Sequence, residues 1–110
     1  MYFTFNQNNS GGFFIENDEV CEYVIIEAET AEQANKKAEE IGIYFDGCST
    51  GYDCPCCGDR WDAQYSDDKG TEEPEIYGVP VYEVKKGLFR SQAHIYRLDG
   101  SKEVVNIRDN

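Results

Sequence analysis

The sequence predicts an α+β fold, in which an antiparallel sheet carries one helix and a cysteine-rich loop is inserted after that helix. Three observations predict it. Short runs of β-branched and aromatic residues recur between Tyr2 and Ile107. One stretch, Ala31 to Ile41, repeats small and apolar residues at helical spacing. Four of the five cysteines fall between Asp46 and Asp62, among glycines, a proline and the only tryptophan.

The elements follow in order. Tyr2-Phe3-Thr4-Phe5 reads as a short strand of β-formers. Asn6 to Gly12 is a turn of amides and glycines, and Phe13-Phe14-Ile15 is a second short strand or extended segment. Glu16 to Glu19 is a polar loop. Val20 to Ala28 is the best strand, with Val20, Val24, Ile26 and Ala28 on one face and Cys21, Tyr23 and Ile25 on the other. Apolar residues on both faces suit a central strand. Thr30 then caps a helix, with Gln33 completing a capping box. Ala31, Ala34, Ala38 and Ile41 form its inner stripe, Glu32 and Lys36 pair outside, and Gly42 stops it. Asp67 to Glu75 is an acidic, proline-broken loop. Ile76 to Val84 reads as a strand that Pro80 confines to an edge. Ala93 to Leu98 and Val104 to Ile107 make a final hairpin about Asp99-Gly100.

Length and composition narrow the function. A chain of 110 residues is one domain, residues 1–110. It has no apolar run long enough for a membrane and no signal-peptide start, so a cytoplasm is expected. The net charge is −12, and it is uneven: residues 1–84 carry −15 and residues 85–110 carry +3. Nucleic acid as a direct partner is disfavoured, because such binding neutralises phosphates with Lys and Arg. A basic protein surface is the complementary partner.

Cys54-Pro55-Cys56-Cys57-Gly58 has the C-P-x-C-G form of a zinc knuckle. Two thiolates three positions apart grip one tetrahedral ion when the chain between them turns tightly. Pro55 pre-sets that turn, and Gly58 accepts the unusual backbone after it. Cys54 and Cys57 are the first two ligands and Cys48, on the same loop, the third. Cys56, Cys21 and His94 are the candidates for the fourth. The bland readings are Cys21 as a small core residue, His94 as a satisfied strand histidine and Trp61 as a core plug. Disulfides are disfavoured in a reducing compartment. A C-P-x-C redox site needs its first cysteine at a helix start, and Gly58-Asp59-Arg60-Trp61-Asp62 opens no amphipathic helix. No phosphate loop, catalytic triad order or H-E-x-x-H motif is present.

Four segments together resemble a family of small proteins encoded by tailed bacteriophages: Phe5-Asn6-Gln7-Asn8-Asn9-Ser10-Gly11-Gly12, Val24-Ile25-Ile26-Glu27-Ala28, Ile41-Gly42-Ile43-Tyr44-Phe45-Asp46-Gly47 and Cys56-Cys57-Gly58-Asp59-Arg60-Trp61. The resemblance runs to Tyr77-Gly78. It carries no activity, but it implies the cytoplasm of an infected bacterium and an accessory role toward a host or defence factor. The leading expectation is a non-enzymatic protein that binds a basic host or defence protein through Asp67, Asp68, Glu72, Glu73 and Glu75. The alternative is a pocket for a nucleotide-type ligand, contacted by Asn6, Gln7, Asn8 and Asn9 with Arg60 and Trp61. A thiol oxidoreductase is the third reading.

Overall fold

Aromatic residues alternating with polar ones build the first strand, β1 (Tyr2–Asn6), whose Phe3 and Phe5 are buried while Asn6 is exposed. The computed structural model describes residues 1–8, 15–51, 53, 58–76, 78–83 and 91–107. Strand β2 (Tyr23–Glu27) is shorter than the expected Val20 to Ala28, although Val20 and Ala28 are buried at its flanks. Its two faces divide as their residue types require. Val24 and Ile26 pack with Phe3, Phe5, Trp61 and the alanines of the helix. Tyr23 and Ile25 pack with Ile76, Val81, Ala93 and Ile95.

The helix, α1 (Ala31–Glu40), keeps the expected boundaries. The Thr30 hydroxyl accepts the Gln33 N–H at 3.2 Å, and Gln33 Oε1 accepts the Glu29 N–H at 3.1 Å. At the other end Gly42 takes φ +103°. Its N–H donates to Glu39 and that of Ile43 to Ala38, at 3.2 and 3.0 Å, which closes a Schellman motif. Ala31, Ala34 and Ala38 are buried, and small side chains let the helix lie close to β2. The ion pair on the outer side joins Lys37 to Glu40 at 3.8 Å rather than Glu32 to Lys36.

A four-residue helix, α2 (Gly47–Thr50), follows. Next come β3 (Glu75–Ile76) and β4 (Val79–Pro80), a 3₁₀ turn at Val81–Glu83, β5 (Ser91–Tyr96) and β6 (Lys102–Ile107). The main sheet has the order β1-β2-β5-β6. It is mixed, which corrects the expected antiparallel sheet. Tyr23 faces Ala93 and Ile26 faces Tyr96 in parallel register, whereas β1–β2 and β5–β6 are antiparallel. The physical reason is the long connection through α1, which returns the chain to the end of the sheet where β2 began. The strand expected over Ile76 to Val84 is also corrected. Gly78, at φ +80°, reverses the chain, so Ile76 pairs with Val79 in a separate two-stranded ribbon and the chain then tightens into the 3₁₀ turn. Val84 lies outside the described residues, as do Phe13 and Phe14. Ile15 forms no strand, because the Gln7 side chain takes the place of a pairing partner: it accepts the Ile15 N–H at 2.5 Å and donates to its carbonyl at 3.0 Å.

The hairpin β5–β6 turns as expected. The Arg97 carbonyl accepts the Gly100 N–H at 3.0 Å, Arg97 N–H donates to Ser101 at 2.9 Å, and Gly100 sits at φ +88°. No helix among the described residues is long and apolar enough to cross a membrane.

Candidate functional site

Both stems of the cysteine loop are held by one buried polar clasp. Arg60 and Asp53 are seven positions apart, and their side chains are 4% and 0% exposed. Asp53 Oδ2 accepts the backbone N–H of Arg60 at 2.7 Å, and Oδ1 accepts the Tyr44 hydroxyl at 2.8 Å. The Arg60 Nε donates to Tyr44 at 3.0 Å and lies 3.6 Å from the Asp53 carboxylate, while Nη1 donates to Gln7 Oε1 at 3.0 Å. Gln7 Nε2 donates onward to the Cys21 carbonyl at 3.0 Å. Opposite charges and filled donors make this burial tolerable. Burial, then the bond to Asp53, raises the Tyr44 hydroxyl above its usual pKa against the pull of Arg60. The clasp leaves no room beside Gly47, where a Cβ would come within 1.9 Å of Asp53 Oδ2.

Cys48 sits half-buried on α2, between Asp46 and Gly51, which both take left-handed backbone. Its N–H donates to Asp59 Oδ1 at 2.9 Å, so Cys48 lies against the far stem of the loop. Gly58 takes φ +87°, the conformation that the C-P-x-C-G reading asks of it. Cys54, Cys56 and Cys57 lie outside the described residues. Among the described residues no group of three His, Cys, Asp or Glu side chains is arranged to hold a metal ion. Cys21 is buried, its thiol donates to the Tyr23 carbonyl at 3.2 Å, and burial pushes its pKa up to about 11. His94 is buried with Nδ1 at 3.0 Å from the Glu19 carbonyl, and since a carbonyl only accepts, Nδ1 carries the proton. Residues 58–65, which a redox site at Cys54 would carry into a helix, form none.

Trp61 is 1% exposed and plugs the core between β1 and α1. Arg60 and Trp61 therefore both face the interior rather than a ligand. Asn8 is tied to the loop stem, its N–H donating to the Arg60 carbonyl at 2.8 Å and its side chain to Asp59 at 3.3 Å. Asn9 lies outside the described residues.

The acidic residues gather elsewhere, along the outer edge of β1. Two adjoining hollows of 260 and 580 Å³ run there and share Gly70, Thr71 and Glu75. Asp68 borders the first, and Glu72 and Glu73 border the second. Asp67 is exposed beside Asp68, and Asn6 lines the first hollow. No lysine or arginine among the described residues lines either one. Glu75 is held in place through its carbonyl, which accepts the Thr4 hydroxyl at 2.6 Å. Sequence reasoning missed the clasp residues Tyr44 and Asp53, and it gave Gln7 and Arg60 to a ligand pocket rather than to the clasp. No local signal marked them, since Asp46, Asp53 and Asp59 all flank the loop and only the meeting of the stems buries Asp53 against Arg60.

No curated protein and no solved structure matches this chain. A family model described as Domain of unknown function (DUF7296) does, and it takes in every element from β1 to β6. Matched over residues 1–110, the chain belongs to that family.

Proposed function

We propose that this chain is a non-enzymatic binding protein that captures a basic protein surface in the acidic cleft along β1. The observation that carries the reading is the continuity of the two hollows, bordered by Asp68, Glu72, Glu73 and Glu75 with no lysine or arginine among the described lining residues; the Met1 ammonium beside the second is engaged with the Ala28 carbonyl. Clefts lined by one sign of charge focus the field and speed the capture of oppositely charged partners. The likeness to tailed-phage proteins supports a host or defence protein as the partner and the infected bacterial cytoplasm as the place. The test compares capture from bacterial lysate at low and high salt by the native chain and by a variant with Asp68→Asn, Glu72→Gln, Glu73→Gln and Glu75→Gln. A partner retained only at low salt and lost by the variant is the expected result. Equal recovery by both proteins at both salt concentrations overturns the reading.

The cysteine loop belongs to the same proposal as a structural zinc knuckle. Cys48, Cys54 and Cys57 would hold the ion, with Cys56 as fourth ligand; Cys21 and His94 are engaged with backbone carbonyls inside the fold. The support is the fit of the stems: Gly58 has the required backbone, and Cys48 is tied to Asp59. Zinc there would supply cross-linking of a loop too polar to fold on a core of its own. Metal content with thiol titration before and after chelation tests it. One equivalent of zinc is expected; no metal together with freely reactive loop thiols refutes it.

A further inference from the structure

The edge of β1 is only partly closed by its own chain. Odd-numbered residues of β1 bond to β2, as the pairs Met1–Ala28 and Gln7–Glu22 show at the two ends. Even-numbered residues therefore turn their N–H and C=O groups outward. Tyr2 exchanges both bonds with Thr71, at 2.7 and 2.8 Å, and Asn8 N–H bonds the Arg60 carbonyl. Between these two fastenings the chain from Arg60 to Thr71 has twelve residues against seven from Tyr2 to Asn8, so it bulges away. The Gln64 amide reaches back to the Thr4 carbonyl at 2.8 Å. Among the described residues, the Thr4 N–H and both backbone groups of Asn6 meet no partner. The 260 Å³ hollow is the gap left by the bulge.

We infer that this gap is a strand-docking site, in which an extended basic peptide adds to β1 through main-chain hydrogen bonds at Asn6 and Thr4. This docking rests on the proposed capture of a basic partner and sets how that partner is held. A residue opposite Asn6 or Thr4 puts its side chain on the same face as theirs, which is the face where Glu75 lies. A lysine or arginine there meets the Glu75 and Asp68 carboxylates, while the backbone bonds hold the peptide whatever its sequence. Docking at the Thr4 carbonyl displaces the Gln64 amide, a neutral hydrogen bond.

The probe is a blocked peptide alternating lysine and valine, Lys-Val-Lys-Val-Lys-Val, titrated into the ¹⁵N-labelled full chain. Two further versions carry N-methyl groups on alternate amides, one on each edge. The expected result is that the Thr4 and Asn6 amides shift and gain exchange protection, and that at least one methylated version binds about tenfold more weakly. Asn6→Pro removes one outward donor at an edge position that tolerates proline, and weakens binding similarly. If both methylated peptides and Asn6→Pro bind as the parents do, strand addition is refuted, and salt-sensitive binding of the parent peptide then leaves the acidic-cleft reading standing. If the parent peptide does not bind at low salt, both readings fall. Should Asn6→Pro fail to fold, the methylated peptides decide alone.

Discussion

Arg60 and Asp53 illustrate what a single pair decides. Each is acceptable inside the protein only because the other is there, together with Tyr44 and Gln7. Arg60→Ala leaves a carboxylate buried without a counter-charge, and urea unfolding is expected to show a loss of about 3–5 kcal/mol. Adding Asp53→Ala to Arg60→Ala should cost much less than the sum of the two single changes, because the pair acts as a unit. A loss under about 1 kcal/mol for Arg60→Ala would mean that the clasp does not hold the stems in solution. Cys21 sets a pH limit. The folded chain keeps its thiol proton to about pH 11, whereas an unfolded thiol releases it near 9.0. The unfolded state thus binds fewer protons between those values, and stability falls as pH rises through them. Tyr96, which burial first and Glu19 second push up to about 12, extends the decline. Unfolding measured from pH 8 to 11 should show this slope, and Cys21→Ala should flatten it. At this scale the sequence revealed Trp61 as a core plug. It did not reveal the clasp, because the burial of Asp53 depends on where Tyr44 and Gln7 lie in space.

Elements whose signals are local were legible in full. Helix α1 has its cap and its stop in the residues that flank it, and both formed, while Gln33 reaches the Glu29 N–H, one residue before the cap. Thr30→Ala is expected to cost about 1 kcal/mol. Gly42→Ala is expected to cost about 1–2 kcal/mol, entirely from backbone, since a Cβ there meets nothing within 4 Å at φ +103°. Thermal unfolding monitored by circular dichroism checks both, and a neutral Gly42→Ala would contradict the Schellman end. The hairpin β5–β6 was legible for the same reason, with Gly100 and the Asp99 carboxylate completing its turn. The Ser101 bonds hold the Asp99 carboxyl below its usual pKa. By contrast, Ile76 to Val84 shows strand composition, yet Gly78 and Pro80 break it into a ribbon and a turn. Helix α2 gave no periodic signal, since four residues are too few to show one.

On the scale of the whole molecule, the two inner strands join distant parts of the chain. Ala93 and Ile95 of β5 complete the cluster that buries Tyr23 and Ile25 of β2. A chain ending at Glu83 keeps β1, β2, α1 and the cysteine loop but uncovers that face and the central edge of β2. It is expected to be unfolded, with amide resonances collapsed into the random-coil range; a dispersed spectrum would show that the first 83 residues fold alone. The match to the family of unknown function takes in β5 and β6 together with the rest of the chain.

By itself the sequence determined the α+β class, the central place of β2, the helix and its ends, the last hairpin and the acidic bias, because periodicity, capping and charge act over a few neighbouring residues. Only the tertiary structure decided the rest. The parallel pairing of β2 with β5 follows from the path of a long connection, the Arg60–Asp53 clasp from the meeting of three separate segments, and the cleft from a bulge between two fastenings. Each depends on distances across the fold, which no local pattern in the chain encodes.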